Sequence, residues 1–253
     1  MHKTDTCLLV FACISLIVTV LCCCFIWRMH HIRQAEQHEY ELLEDAVVTQ
    51  PPGLPSFDNH KETQMQESVR AHDCAALHAM NPDCIGWLSI PGTIVSYPVM
   101  YTPSDPQAYL HHSFYSAYSA SGTPFLDYRC NTACDNLIVY GHNMSNGSMF
   151  GSLKHYRTNT YLNAHTIIVL ELGNVTYTFQ IFAVSTVDRA NEWYSFHDAL
   201  TTEQYHTAVQ ALADSAEILV TPMPEDGTKL LTLSTCTGVT KNERLIVVAK
   251  LIP

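Results

Sequence analysis

One stretch near the start of the chain constrains the whole. Residues 7–27 read CLLVFACISLIVTVLCCCFIW, with no charge and only Ser15 and Thr19 as hydroxyl-bearing interruptions. At about 1.5 Å per residue, a helix of this length spans roughly 30 Å, the depth of a bilayer's hydrocarbon core. A cleaved export signal has a shorter apolar segment, roughly 7–15 residues, and ends in small residues before the cut. This run ends instead in Cys24, Phe25, Ile26 and Trp27. It therefore reads as an uncleaved single-pass anchor, followed by the residues that carry the chemistry. Lys3 on one side and Arg28 and Arg33 on the other leave its orientation undecided by charge.

The charge balance excludes some functions. The chain holds 13 Lys and Arg against 24 Asp and Glu, a formal net charge of −11. A nucleic-acid surface needs clustered cations to displace phosphate counterions, and a polybasic membrane patch needs the same clustering. No nucleic-acid partner is expected. A hydrophobic content of 47% is too high for a mostly disordered chain. Of the ten cysteines, Cys74, Cys84, Cys130, Cys134 and Cys236 lie beyond the apolar run. Four of these five can pair and one is left over, so we expect Cys236 to stay reduced, with pairing among the rest open.

Residues 34–48 are acidic and helix-compatible and read as a stalk. Pro51, Pro52, Gly53 and Pro55 then break any helix, which places a linker at 49–59. A helix is expected over 61–80, ending at Asn81-Pro82. Beyond it the texture changes to short β-branched and aromatic runs between turn residues. Strands are expected at 86–90, 94–100, 123–127, 136–140, 166–171, 175–187, 229–235 and 244–252. Short helices fit 106–112, 148–155 and 201–215. Eight strands with few helices between them predict a mainly β fold, an antiparallel barrel or sandwich rather than a parallel sheet.

Three residues suit nucleophilic chemistry, although each has a blander reading. Cys236 ends the apolar run Leu230-Leu231-Thr232-Leu233-Ser234-Thr235 and precedes a turn; most strand cysteines are simply buried. His142 follows the strand at 136–140, with Gly141 permitting a sharp exit, yet it is one histidine of 14. Arg244 opens the last strand and by default is a solvated cation. Beside a Cys-bearing strand it could instead stabilise negative charge developing on an oxygen. His72, Cys74, His78 and Cys84 fall within 13 residues, with Cys130 and Cys134 further on. Their spacings do not match zinc patterns, so no metal and no cofactor is expected.

Taken together, the strings form a recognisable set. They are Gly86-Trp87-Leu88-Ser89-Ile90-Pro91-Gly92-Thr93, Tyr97-Pro98-Val99, Phe125-Leu126-Asp127, Leu137-Ile138-Val139-Tyr140-Gly141-His142-Asn143-Met144, Met149-Phe150, Thr232-Leu233-Ser234-Thr235-Cys236 and Arg244-Leu245-Ile246-Val247. In this order they resemble the sortases, the cysteine transpeptidases of Gram-positive cell surfaces, and specifically class B. Thr237, Gly238 and Val239 depart from those class B members that carry an acidic residue just after the Cys.

The resemblance implies a closed eight-stranded β-barrel with N-terminal helices, and a helix in the connection between the sixth and seventh strands that walls the substrate groove. It implies a cytoplasmic N-terminus at 1–6, a transmembrane anchor at 7–27, a stalk and linker at 28–58 and an extracellular catalytic domain at 59–253. It further implies a partner protein bearing a C-terminal Asn-Pro-x-Thr-like sorting signal. That signal would be cleaved after Thr through a thioester and joined to an amine of peptidoglycan or its precursor. Cys236 would be the nucleophile, His142 the general acid and base, and Arg244 the stabilising cation, with Tyr140, Asn143, Ser234 and Thr235 contacting substrate. The rival expectations are a thiol endopeptidase that passes the acyl group to water, a pilin-type polymerase, and a tethered binding module without catalysis.

Overall fold

The computed structural model describes residues 2–49 and 71–253. The expected linker, apart from Thr49, and the first half of the helix expected over 61–80 lie outside the described residues. Helix α1 (His2–Val47) carries the apolar run and the acidic stalk as one 46-residue element. Among the described residues it is the one helix long and apolar enough to cross a membrane.

The remaining described residues from 42 onward form one compact unit. Strand β1 (Val48–Thr49) pairs with β2 (Ala71–His72), Val48 facing His72. Helix α2 is shorter than the sequence suggests, spanning only Cys74–Met80. The Asp73 carboxylate accepts the Ala76 amide at 2.9 Å, so the helix starts there and the two preceding residues remain extended.

All eight expected strands form. They are β3 (Cys84–Ser89), β4 (Ser96–Met100), β5 (Phe125–Leu126), β6 (Asn136–Tyr140), β7 (Ile167–Leu172), β8 (Val175–Asp188), β10 (Leu230–Cys236) and β11 (Glu243–Leu251). The two-residue β9 (Ile218–Leu219) adds an edge to β8. The order is β11-β10-β6-β5-β4-β3-β7-β8, and β8 pairs again with β11, closing an eight-stranded barrel. The expected barrel forms, but it is mixed rather than antiparallel: β4 with β5 and β6 with β10 are parallel. A parallel neighbour requires a long crossover that carries the chain back to the end where the first strand began. Residues 101–124 and the whole segment from β6 to β10 supply those returns.

Trp87, Tyr97, Phe114, Phe150, Phe179 and Phe182 are fully buried, on one face of the sheet or the other. Every residue of β10 except Cys236 is buried, because β6 and β11 flank it and the connection from β8 covers it. Trp193 Nε1 donates to Thr232 Oγ1, which donates to Asn136 Oδ1. The hydroxyl in an otherwise apolar strand is thereby satisfied. The helix expected at 201–215 is α4 (Thr202–Ser215), capped by Thr201, whose side chain accepts the Gln204 amide. It buries Tyr205, Val209 and Leu212, one face of two turns. The helix expected at 106–112 is a single 3-10 turn at Ala108–Leu110, and that at 148–155 is a 3-10 stretch at Gly151–Arg157 followed by α3 (Asn159–Ala164).

Candidate active site

Strand polarity brings the three candidate residues to one rim. Parallel β6 and β10 are in register with Tyr140 level with Ser234, so both strands leave the barrel at the same end. There β10 ends in Cys236, and β6 runs on through Gly141 to His142. Antiparallel β11 enters at that end, with Arg244 paired directly with Cys236. A cavity of about 390 Å³ opens on this rim, and Cys236, His142 and Arg244 all line it.

Short hydrogen bonds lock the two strand exits together. Thr235 Oγ1 donates to the Gly141 carbonyl at 2.7 Å, and the Gly141 amide donates to the Ser234 carbonyl at 3.2 Å. Asn143 Nδ2 donates to the Cys236 carbonyl at 2.8 Å. A Cβ at position 141 would lie 2.7 Å from the Phe150 ring, so only glycine allows β6 to leave this close to it.

The imidazole of His142 is tied at one nitrogen. Nε2 lies 2.8 Å from the Leu110 carbonyl, and a carbonyl can only accept, so Nε2 carries the hydrogen and Nδ1 holds the free lone pair. Burial holds the His142 pKa below its ordinary value of 6.5. The Leu110 carbonyl opposes this, while the neighbouring His111, stacked at 5.5 Å, pushes the same way as burial. Arg244 Nη1 donates to the carbonyls of Lys241 and Glu243 at 2.9 and 3.0 Å. Its other N–H groups make no hydrogen bond among the described residues, and the residue lines the cavity.

The residues expected to contact substrate divide into two kinds. Tyr140, Ser234 and Thr235 line the cavity; the cavity lining does not include Asn143, whose amide braces the Cys236 backbone. The Ser234 hydroxyl is bound to the Tyr194 hydroxyl at 2.7 Å, and Tyr194 stacks on Tyr140 at 6.1 Å. Tyr140 donates in turn to Asp127 Oδ2 at 2.8 Å, and Arg129 grips Asp127 with Nε at 3.0 Å and Nη2 at 2.7 Å. Burial drives the Asp127 pKa up, but Arg129 and Tyr140 outweigh it and the net shift is downward. Sequence reading gave no role to Asp127, Arg129, Arg189, Tyr194 or His111. Asp127 stood in a quoted string, but neither it nor Tyr194 carries a local signal of its partners.

The other cysteines of this unit differ sharply from Cys236. Cys74, Cys84, Cys130 and Cys134 are buried free thiols, whereas Cys236 is free and exposed. Burial pushes Cys74 up to about 11 and both Cys84 and Cys130 up to about 12, which makes them poor nucleophiles. Near the N-terminal helices, His72 faces Glu171 and Glu44, and His78 Nδ1 faces the Cys84 carbonyl. Among the described residues no three His, Cys, Asp or Glu side chains converge as a metal-ligand set.

A sequence model of the Sortase domain matches residues 88–252. The chain belongs to the sortase family. Within that family its similarities lie with class B. It is 29% identical over 234 residues to sortase B of Listeria monocytogenes, spanning 89% of this chain and 90% of that protein. The barrel superposes on Clostridium perfringens sortase B with a TM-score of 0.65 at 31% identity, covering 71% of this chain and 99% of that one. On the substrate complex of Staphylococcus aureus sortase B the TM-score is 0.66 at 25% identity, covering 71% and 84%. The fold and these relatives make the chain a class B cysteine transpeptidase, of a family that acts on sorting-signal proteins and amine nucleophiles at Gram-positive cell surfaces.

Proposed function

We propose that this sortase cleaves an Asn-Pro-x-Thr-like sorting signal after Thr and transfers the Thr carbonyl to an amine of peptidoglycan or its precursor. The observation that carries this reading is the cavity shared by Cys236, His142 and Arg244. The Cys236 thiol gives its proton to His142, and the sulfur attacks the Thr carbonyl. The resulting oxyanion is stabilised by Arg244, whose charge is permanent. As the tetrahedral intermediate collapses, His142 protonates the departing amine and a thioester remains. An incoming amine loses a proton to His142, attacks the thioester and releases the thiol. Nδ1 is the nitrogen that exchanges these protons, since Nε2 is held by Leu110. Tyr140 offers its ring to the bound peptide, while Asn143, Ser234 and Thr235 act by holding the two strand exits in register.

By the same reading, residues 7–27 anchor the protein with its N-terminus inside the cell, the stalk follows from residue 28, and the catalytic domain faces outward. The length and apolarity of α1 support the anchor.

The test is incubation with a fluorogenic sorting peptide, with and without triglycine, while the acyl-enzyme is trapped for mass spectrometry. A thioester on Cys236 and an amine-dependent product are expected. A product unchanged by amine would favour the endopeptidase reading, and turnover by a Cys236→Ala variant would remove the mechanism altogether.

A further inference from the structure

The cavity has a charge opposite to that of the protein. In a chain of net charge −11, it is lined by three arginines, Arg129, Arg189 and Arg244, and one carboxylate, Asp127. Asp127 is fully taken by Arg129 and Tyr140. Arg244 is the permanent charge of the proposed reaction. Arg189 is exposed, and its side chain has no ion-pair or hydrogen-bond partner among the described residues. The two acids paired at this end of β8 and β11, Asp188 and Glu243, form no ion pair with it. Asp188 Oδ1 accepts the Ala190 amide at 2.8 Å, and Glu243 Oε2 accepts from Thr237 Oγ1 at 3.1 Å. Arg189 itself is held by its backbone, whose amide donates to the Asn242 carbonyl at 2.8 Å.

Strand order gives this free guanidinium a position relative to the chemistry. Across the rim lie β6, β10, β11 and β8 in turn, ending or beginning near His142, Cys236, Arg244 and Arg189. His142 and Arg189 therefore lie on opposite sides of Cys236. The departing amine must be on the His142 side to receive its proton, so the acyl half of the peptide extends toward Arg189. Two strand spacings of about 4.8 Å separate β10 from β8, roughly the length of three extended residues. That reach extends from Thr back to Asn, and within it the motif leaves x free; the residue just before Asn lies one position beyond, within the added length of an arginine side chain.

We propose that Arg189 is a specificity-determining residue that reads an acidic side chain of the sorting signal, at x or immediately before Asn. A guanidinium forks onto a carboxylate with two parallel hydrogen bonds, which gives both attraction and orientation. The inference rests on the proposed transpeptidase reading, and the test separates the two.

The experiment uses the full-length chain in detergent and fluorogenic peptides bearing Glu, Gln or Lys at each of the two positions. Wild type should show a kcat/KM about tenfold higher for Glu than for Lys at one of them, with Gln between, and 0.5 M NaCl should shrink the ratio. Arg189→Glu should invert that ratio and Arg189→Lys should keep its sign. A purely structural role for Arg189 would lower all three peptides alike. Equal rates for Glu, Gln and Lys at both positions in wild type, or a ratio unmoved in Arg189→Glu, overturns the assignment while leaving the reaction intact. If wild type cleaves nothing, the reaction fails. The assignment is then judged by peptide binding to Cys236→Ala, where an Arg189-dependent preference for Glu upholds it and no preference ends it.

Discussion

Cys236 and Arg244 oppose each other across β10 and β11 as a register pair, at the only exposed residue of an otherwise buried strand. The pairing puts a charge that cannot be lost beside the thiol-bearing strand end, while burial of β10 keeps that end fixed. Cys236→Ala should abolish acyl-enzyme formation and lower kcat/KM by on the order of 10³ or more. Its melting temperature should stay within about 2 °C of wild type, since the side chain is exposed. Arg244→Lys should cost on the order of 10² in kcat/KM, because an ammonium lacks the planar fork. Peptide-cleavage kinetics and thermal melts on the same preparations check both.

The lowered pKa of His142 sets the acid side of the pH profile. Below that pKa the ring and the thiol are both protonated, and no proton can pass from sulfur to nitrogen. The acid limb of kcat/KM should therefore lie below 6.5, the ordinary imidazole value. His111 contributes to the depression by like charge. His111→Gln should move the acid limb upward, toward 6.5, with the alkaline limb little changed. An acid limb that stays in place on this substitution would show that burial alone sets the value.

How much of this was legible beforehand depended on whether a feature is local. Thr232-Leu233-Ser234-Thr235-Cys236 announces a strand, its end and a thiol in one string, and the barrel places it there. Gly141 and His142 were legible for the same reason. The parallel pairing of β6 with β10 was not, because pairing partners are chosen by long returns that leave no period in the sequence. Nor was the role of Asp127, whose meaning comes from Arg129 and from Tyr140, 13 residues away. The asparagine of the Tyr-Gly-His-Asn string reads as a substrate contact, but its amide is occupied by the Cys236 carbonyl.

Asp127 should matter more to stability than its place in the cavity wall suggests. Its side chain is 2% exposed and accepts from Arg129 and Tyr140. Asp127→Ala leaves both donors without their acceptor and should cost about 3 kcal/mol. Asp127→Asn keeps an accepting oxygen and should cost less. Because the pKa of Asp127 is lowered in the folded state, its contribution is present above about 3.8 and is lost as pH falls through the folded value. Urea unfolding of wild type and both variants between pH 3 and 7 should show the gap between wild type and Asp127→Ala narrowing at the acid end.

On the barrel wall at β7, away from the rim, His72 should give stability the opposite pH dependence. Its ring stacks on Trp87 at 4.5 Å, Nδ1 is bonded to Glu171, and Nε2 lies 3.6 Å from Glu44 near the end of α1. Burial pulls the His72 pKa down, but the two carboxylates outweigh it and raise it above 6.5. A raised folded value means that the stabilisation is complete below about 6.5 and fades as pH rises through the folded value. His72→Gln removes the charge, and leaving Glu171 without its cation should cost about 3 kcal/mol at pH 6. The cost should shrink toward pH 8. His142 titrates with the opposite sign, but it is present in both proteins and cancels in the difference. A wild-type-minus-variant difference that stays flat or grows between pH 6 and 8 would show that the charged form of His72 does not hold β2 to Glu171 and Glu44.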